Sequence, residues 1–129
     1  MIKDILLVDD DLDDISLFRE ALNEVDSLIN FHSAKNGRLA LEFLLNAQAT
    51  TPDLIFLDIN MPEMNGWQCL TELKSSLLLK QIPVIMYSTS AIKMDEQKAS
   101  GLGAFGIYRK PDRFEEIKHL LKTVIGDLA

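Results

Sequence analysis

The residues best able to do chemistry are acidic and fall in two places. Asp9, Asp10, Asp11, Asp13 and Asp14 crowd one short stretch, and Asp58 follows a separate apolar run. Two further segments carry complementary groups: the hydroxyls of Ser88-Thr89-Ser90 and the cations of Arg109-Lys110, ahead of Pro111. Carboxylates brought onto one small site repel one another, by about 4 kcal/mol for a pair roughly 4 Å apart at an effective dielectric near 20. Such a cluster is tolerable when a cation or protons neutralise it. Hard oxygen donors without imidazole or thiolate suit Mg²⁺, which keeps several waters and shares its shell with phosphate. A carboxylate is also a nucleophile able to form an aspartyl-phosphate. A metal, a lysine and a hydroxyl are the groups that stabilise the spread charge of a transferring phosphoryl group.

Each residue also has a plainer role. Asp11, Asp13 and Asp14 suit the first turn of a helix, where negative charge meets the positive end of the dipole. Asp58 suits a strand-end turn, Ser88 to Ser90 suit a helix cap, and Lys110 suits a solvated loop. The chemical reading therefore depends on whether the chain brings these groups together.

Hydrophobic patterning says that it does. Ile5-Leu6-Leu7-Val8, Leu54-Ile55-Phe56-Leu57 and Val84-Ile85-Met86-Tyr87 are short continuous apolar runs, the pattern of strands buried on both faces. Pro52 and Pro83 precede the second and third of these as strand-entry markers. Ile29 with Phe31, and Gly106-Ile107-Tyr108, predict two further strands. Between them the apolar spacing is helical. One set is Ile15, Phe18, Ala21, Leu22 and Val25; another is Leu39, Phe43 and Leu44 after Gly37; a third is Trp67, Leu70, Leu73 and Leu77. Met94 to Ser100 predicts a weak helix ending at Gly101. Phe114, Ile117, Leu120, Leu121 and Val124 predict a strong one, with Gly126 placed to stop it.

Five strand–helix units imply an α/β fold, a doubly wound five-stranded parallel sheet with helices on both faces. In such sheets the ligand site lies beyond the carboxyl ends of the strands, where the strand order reverses. Asp9-Asp10, Asp58, Ser88-Thr89-Ser90 and Lys110 all follow strands, so they are expected on one rim. Their joint arrival there outweighs the separate plainer roles.

The 129 residues fit one domain, residues 1–129, with 47% hydrophobic and 26% charged residues, the balance of a soluble globular protein. Cys69 is the single cysteine, so no intramolecular disulfide forms. No leader opens the chain and no apolar run approaches the roughly 18 residues of a membrane span, so a cytoplasmic protein is expected. A net charge of −7 argues against nucleic acid as a direct partner, despite the loose group Arg109, Lys110, Arg113, Lys118 and Lys122.

With these residues in view, the chain resembles the receiver domain of bacterial two-component response regulators, in particular single-domain, chemotaxis-regulator-like members. The resemblance rests on Val8-Asp9-Asp10, Leu57-Asp58-Ile59-Asn60-Met61-Pro62 with Gly66, Pro83 to Ser88, and Gly103-Ala104-Phe105-Gly106 leading to Lys110-Pro111. It runs in order from about Ile5 to Leu121. It implies a flavodoxin-like receiver fold with strand order 2-1-3-4-5 and five helices. Asp58 would be the phospho-acceptor and would also touch Mg²⁺. Asp10 would be the main metal-binding acid, Asp9 would act through bound water, and Asn60 would offer its backbone carbonyl. Ser88 would be the switch hydroxyl, and Lys110 would pair with the phosphoryl group, its bond to Pro111 expected to be cis. Asn60 and Ser90 would occupy positions that tune dephosphorylation.

One departure concerns strand five. The position three residues before the lysine, an aromatic in the family, is Ile107, and Tyr108 should point to the opposite face. Switching would then use Ser88 and backbone movement, or an aromatic borrowed from elsewhere such as Tyr87.

The resemblance implies a phospho-acceptor that assists its own phosphorylation and dephosphorylation, not an enzyme with its own substrate. The donor would be a sensor histidine kinase or phosphotransfer protein. The chain ends soon after the fifth helix, so no output domain is expected. Output would pass through the helix-four, strand-five, helix-five face to a downstream protein, or to a second copy on phosphorylation. Three alternatives stand beside this: a phosphate sink with no direct output, a haloacid-dehalogenase-like aspartyl phosphatase, and a flavodoxin-like flavin carrier. The phosphatase wants a second acid two residues after the nucleophile, where Asn60 stands. The flavin carrier wants Ser, Thr and Gly after strand one, where the aspartates stand.

Overall fold

The computed structural model describes residues 1–46, 48, 50–89 and 93–128. Strands and helices alternate: β1 (Asp4–Val8), α1 (Leu12–Val25), β2 (Asn30–Ala34), α2 (Gly37–Leu45), β3 (Leu54–Leu57), α3 (Gly66–Ser75), β4 (Val84–Ser88), α4 (Lys93–Gly101), β5 (Gly106–Arg109) and α5 (Phe114–Leu128). The five strands form one parallel sheet in the order β2-β1-β3-β4-β5. The order reverses between β1 and β3, which places a crevice at their carboxyl ends.

The central strands β1, β3 and β4 are buried along their whole length, because helices cover both faces of the sheet. The edge strands β2 and β5 are partly exposed. Alternate side chains feed two apolar layers. Ile5, Leu7, Phe56, Ile85 and Tyr87 pack beneath α1 and α5, meeting Phe18, Leu22, Leu121 and Val124. Leu6, Val8, Leu57, Val84 and Met86 pack on the other side with Ala40, Leu70, Leu73 and Ala99 of α2, α3 and α4.

The structure corrects several sequence expectations. Gly126 does not stop α5, which runs on to Leu128. A helical glycine costs about 1 kcal/mol, less than the buried stripe Ile117, Leu120, Leu121 and Val124 contributes. Leu77 lies beyond α3, since Ser76 is extended (φ −85°, ψ 126°) and breaks the helical phase; Leu77 is 82% exposed. Leu39 is at the surface of α2, whose buried residues are Gly37, Ala40 and Leu44. Met94 is 74% exposed, leaving Ala99 as the buried anchor among the described residues of α4. Lys110–Pro111 is trans, as no described peptide bond is cis. Trans is the favoured form of X–Pro by roughly 0.5–1 kcal/mol, and Lys110 reaches its partners from it. Ser90 lies outside the described residues.

Candidate functional site

The carboxyl rim is assembled by backbone pairing. The N–H of Asp9 donates to the carbonyl of Ala34 (3.0 Å), that of Asp58 to Val8 (2.9 Å), and that of Lys110 to Ser88 (2.9 Å). The ladder thus extends one residue past each strand and aligns the functional groups. Asp9 is fully buried and Asp58 is 6% exposed, while Asp10 lies open to solvent. One carboxylate oxygen from each of Asp9, Asp10 and Asp58 falls within 4.8 Å of the others. Ser88 is buried at the last position of β4. Asn60 lies exposed two residues beyond Asp58, at the start of the loop leading to α3.

Hydrogen bonds along its length shape that loop. The Ile59 N–H donates to Asp58 Oδ1 (2.9 Å), fixing the carboxylate rotamer. The start of α3 is pressed against the backbone just after Asp58: the Gly66 N–H donates to the Ile59 carbonyl (2.7 Å), and Asn65 and Gln68 form a capping box. Glu63 takes a left-handed conformation (φ 66°), and Arg38 of α2 bonds its carboxylate at 3.2 Å.

Lys110 bridges the site. Its Nζ lies 2.7 Å from Asp9, 2.9 Å from Asp14 and 3.7 Å from Asp58, and 5.6 Å from the centroid of the Tyr87 ring. Burial, opposed by the lysine and reinforced by Asp9 and Asp10, pushes the Asp58 carboxyl up to about 6. Burial also raises Asp9, against the bonds it receives from Lys110 and the Asp11 N–H. Burial alone would lower Lys110, but the bonds to Asp9 and Asp14 and the field of Asp58 together raise it, so the ammonium stays charged.

The structure therefore brings Asp9, Asp10, Asp58 and Lys110 into one cluster, with Ser88 and Asn60 at the ends of the flanking segments. Asp11 keeps its plainer role as the N-cap of α1, accepting from the N–H groups of Asp13 and Asp14. Asp14 keeps its dipole-favourable place in the first turn as well, but its carboxylate also binds Lys110. The available signal was Phe18, four residues on in the apolar stripe of the same helix, which puts Asp14 on the inward side.

Ile107 packs in the α2–α3–α4 layer and Tyr108 in the α1–α5 layer, the opposite faces expected of neighbours on a strand. Tyr87 is no substitute for the missing aromatic. It lies in the α1–α5 layer, 3% exposed, with edge-to-face contacts to Phe18 and Phe56 at 5.8 Å each.

A doubly wound parallel sheet with an acid cluster, a buried hydroxyl and a lysine at its switch point defines a phosphoryl-handling α/β domain. The response regulator receiver domain model matches residues 5–122, and the chain belongs to that family. It is 30% identical over 127 residues to the polar-differentiation response regulator DivK of Brucella ovis, covering 98% of this chain and 99% of DivK. It is also 33% identical over 119 residues to a probable cyclic di-GMP phosphodiesterase of Vibrio cholerae, but spans just 26% of that protein's length. The phosphorylated cyanobacterial phytochrome response regulator RcpA superposes with a TM-score of 0.86 at 32% identity, covering 96% of this chain and 91% of RcpA. The Mn²⁺-bound form of response regulator Rcp1 gives 0.79 at 29% identity, with 95% and 91% covered.

The donor set fits a small hard cation. Three carboxylates converge without sulfur or imidazole, and exposed Asp10 leaves the cluster open to water on one side. No helix among the described residues is long and apolar enough to cross a membrane.

Proposed function

We propose that this receiver takes a phosphoryl group onto Asp58 from a histidine kinase or phosphotransfer protein, with Mg²⁺ held by Asp9, Asp10, Asp58 and the backbone carbonyl of Asn60. The observation that carries the reading is the position of Asp58: nearly buried, within reach of two other carboxylates and 3.7 Å from the Lys110 ammonium. A buried carboxyl titrating at about 6 is largely ionised near neutral pH, hence nucleophilic, yet kept short of water. An Asp58 oxygen attacks phosphorus. The P–N bond to the donor's imidazole breaks, and its electron pair returns to the ring nitrogen. When bound, Mg²⁺ supplies the positive charge that offsets the carboxylates and the phosphoryl oxygens. Lys110 pairs with those oxygens, and Ser88 donates its hydroxyl to one of them. The haloacid-dehalogenase reading lacks its second acid, since Asn60 stands there.

Acetyl phosphate tests this directly. With Mg²⁺ the intact mass should rise by one phosphoryl group, about 80 Da, borohydride trapping should place it on Asp58, and chelation should suppress it. Labelling at another residue, or none with Mg²⁺ present, would overturn the assignment.

We infer that the signal leaves through the α4–β5–α5 face. Among the described residues of α4, Ala99 is the one buried side chain, with Lys98 resting over the Trp67 ring at 4.7 Å. Few buried contacts make an element easy to shift, and α4 follows the Ser88 segment. A downstream protein or a second copy of the chain would read the change there. Hydrogen exchange should differ most between residues 88 and 114 when beryllofluoride is added. Equal protection of that span in both states would send the signal elsewhere.

A further inference from the structure

We propose that Asp14 is a positioning residue that holds Lys110 away from Asp58 in the resting protein, so that phosphorylation exchanges the Asp14 carboxylate for the phosphoryl oxygens as partner of the lysine. The proposal rests on the reading of Asp58 as phosphoryl acceptor and deepens it.

The geometry is that of a lysine drawn toward α1. An ammonium has three N–H donors. Lys110 directs two of them to Asp9 (2.7 Å) and Asp14 (2.9 Å), while Asp58 Oδ1, at 3.7 Å, is beyond hydrogen-bond reach. Asp14 is placed for this by its own helix. Asp11 caps α1 through the Asp13 and Asp14 N–H groups (2.9 and 3.2 Å), which fixes the conformation of the first turn that carries Asp14.

The third N–H is free to meet a phosphoryl oxygen on Asp58, but drawing the ammonium toward Asp58 lengthens the two short bonds it already makes. Asp9 is the costly one to abandon, because its side chain is fully buried and water cannot take the place of the lysine there. The Asp14 side chain is 34% exposed, so water can replace the lysine there. Asp14 is therefore the releasable partner, and its charge opposes the approach of an anionic phosphoryl group. Its strength sets how readily the phosphorylated state forms.

Beryllofluoride binding at saturating Mg²⁺ measures this without catalytic turnover. Asp14→Asn should bind beryllofluoride about three- to tenfold more tightly than wild type, about 0.7–1.4 kcal/mol. Asp14→Glu, which keeps the charge within reach, should return toward wild type. Asp13→Asn removes an equal charge from the same turn without touching Lys110, and should stay within about twofold. The ammonium NMR signal of Lys110 should move on beryllofluoride addition in wild type, and part of that movement should already be present in Asp14→Asn. Unchanged or weaker binding by Asp14→Asn, or an equal gain in Asp13→Asn, overturns the proposal while leaving Asp58 as acceptor. A wild-type protein that binds no beryllofluoride overturns both.

Discussion

Gly66→Ala should destabilise the protein by about 3 kcal/mol or more, a fall in Tm of roughly 10 °C or greater. The cause is backbone, not side chain. A Cβ at position 66 would lie 2.2 Å from the Asp58 carbonyl oxygen, 2.7 Å from Ile59 Cα and 2.9 Å from the Asp58 carbonyl carbon. None of these atoms can turn aside as a flexible side chain would. Relief requires moving the start of α3 off the loop, which breaks the 2.7 Å bond from the Gly66 N–H to Ile59. The same movement disturbs Asp58 and the segment carrying Asn60, so acetyl-phosphate labelling should slow in whatever fraction stays folded. Gly126→Ala is the contrast: nothing lies within 4 Å of a Cβ there, and the position is inside α5. Alanine should stabilise it by about 0.5–1 kcal/mol. Chemical denaturation of the two variants compares them directly, and a Gly66→Ala protein as stable as wild type would mean that α3 does not seat on the nucleophile's backbone as described.

That contrast marks how far sequence reasoning reached. The buried strands were legible because β1, β3 and β4 are apolar on both faces, a pattern that needs no partner to interpret. The acid cluster was legible because strand ends in a doubly wound sheet share a rim. The ends of elements were less so. Gly126 carries a stop signal that packing of α5 overrides, and Leu77 keeps the helical period after Ser76 has already left the helix. The first is decided by packing, which local propensity does not encode, and the second by a turn in which the Leu79 and Lys80 N–H groups take the Ser76 carbonyl. Asp14 was hidden differently. An aspartate in a first helical turn has a sufficient local explanation, and its pairing with Lys110, 96 residues away, exists only once β5 is docked beside β4. Tyr87 shows the converse. Its strand position was plain, but which layer its ring enters follows from the alternation along β4 and excludes it from the face of Ile107.

Asp58→Asn should abolish acetyl-phosphate labelling and, without added metal, make the protein more stable at neutral pH by about 1–3 kcal/mol. The first effect follows because an amide oxygen is no nucleophile for phosphorus under conditions where a carboxylate is. The second follows from the cost of keeping a charge in the cluster. The folded carboxyl titrates at about 6, against an ordinary value of 3.8. A raised acid binds its proton more tightly when folded, so ionising it penalises the folded state. Above about pH 6 both states are ionised and the penalty is complete; below about pH 4 both are protonated and it vanishes. The stability difference between variant and wild type should therefore be largest at pH 7, shrink between pH 6 and 4, and be near zero below that. The asparagine can still accept the Ile59 N–H, and Lys110 keeps Asp9 and Asp14, so the native partners of the carboxylate keep their bonds. Millimolar Mg²⁺ should raise the Tm of wild type and raise that of the variant less, because a cation that binds the native cluster relieves the same repulsion that the substitution removes. Urea unfolding across the pH range, with and without Mg²⁺, reads all of this in one series. A variant less stable than wild type at pH 7, or a difference that grows on acidification, would show that Asp58 is not held as a penalised charge beside Asp9 and Asp10.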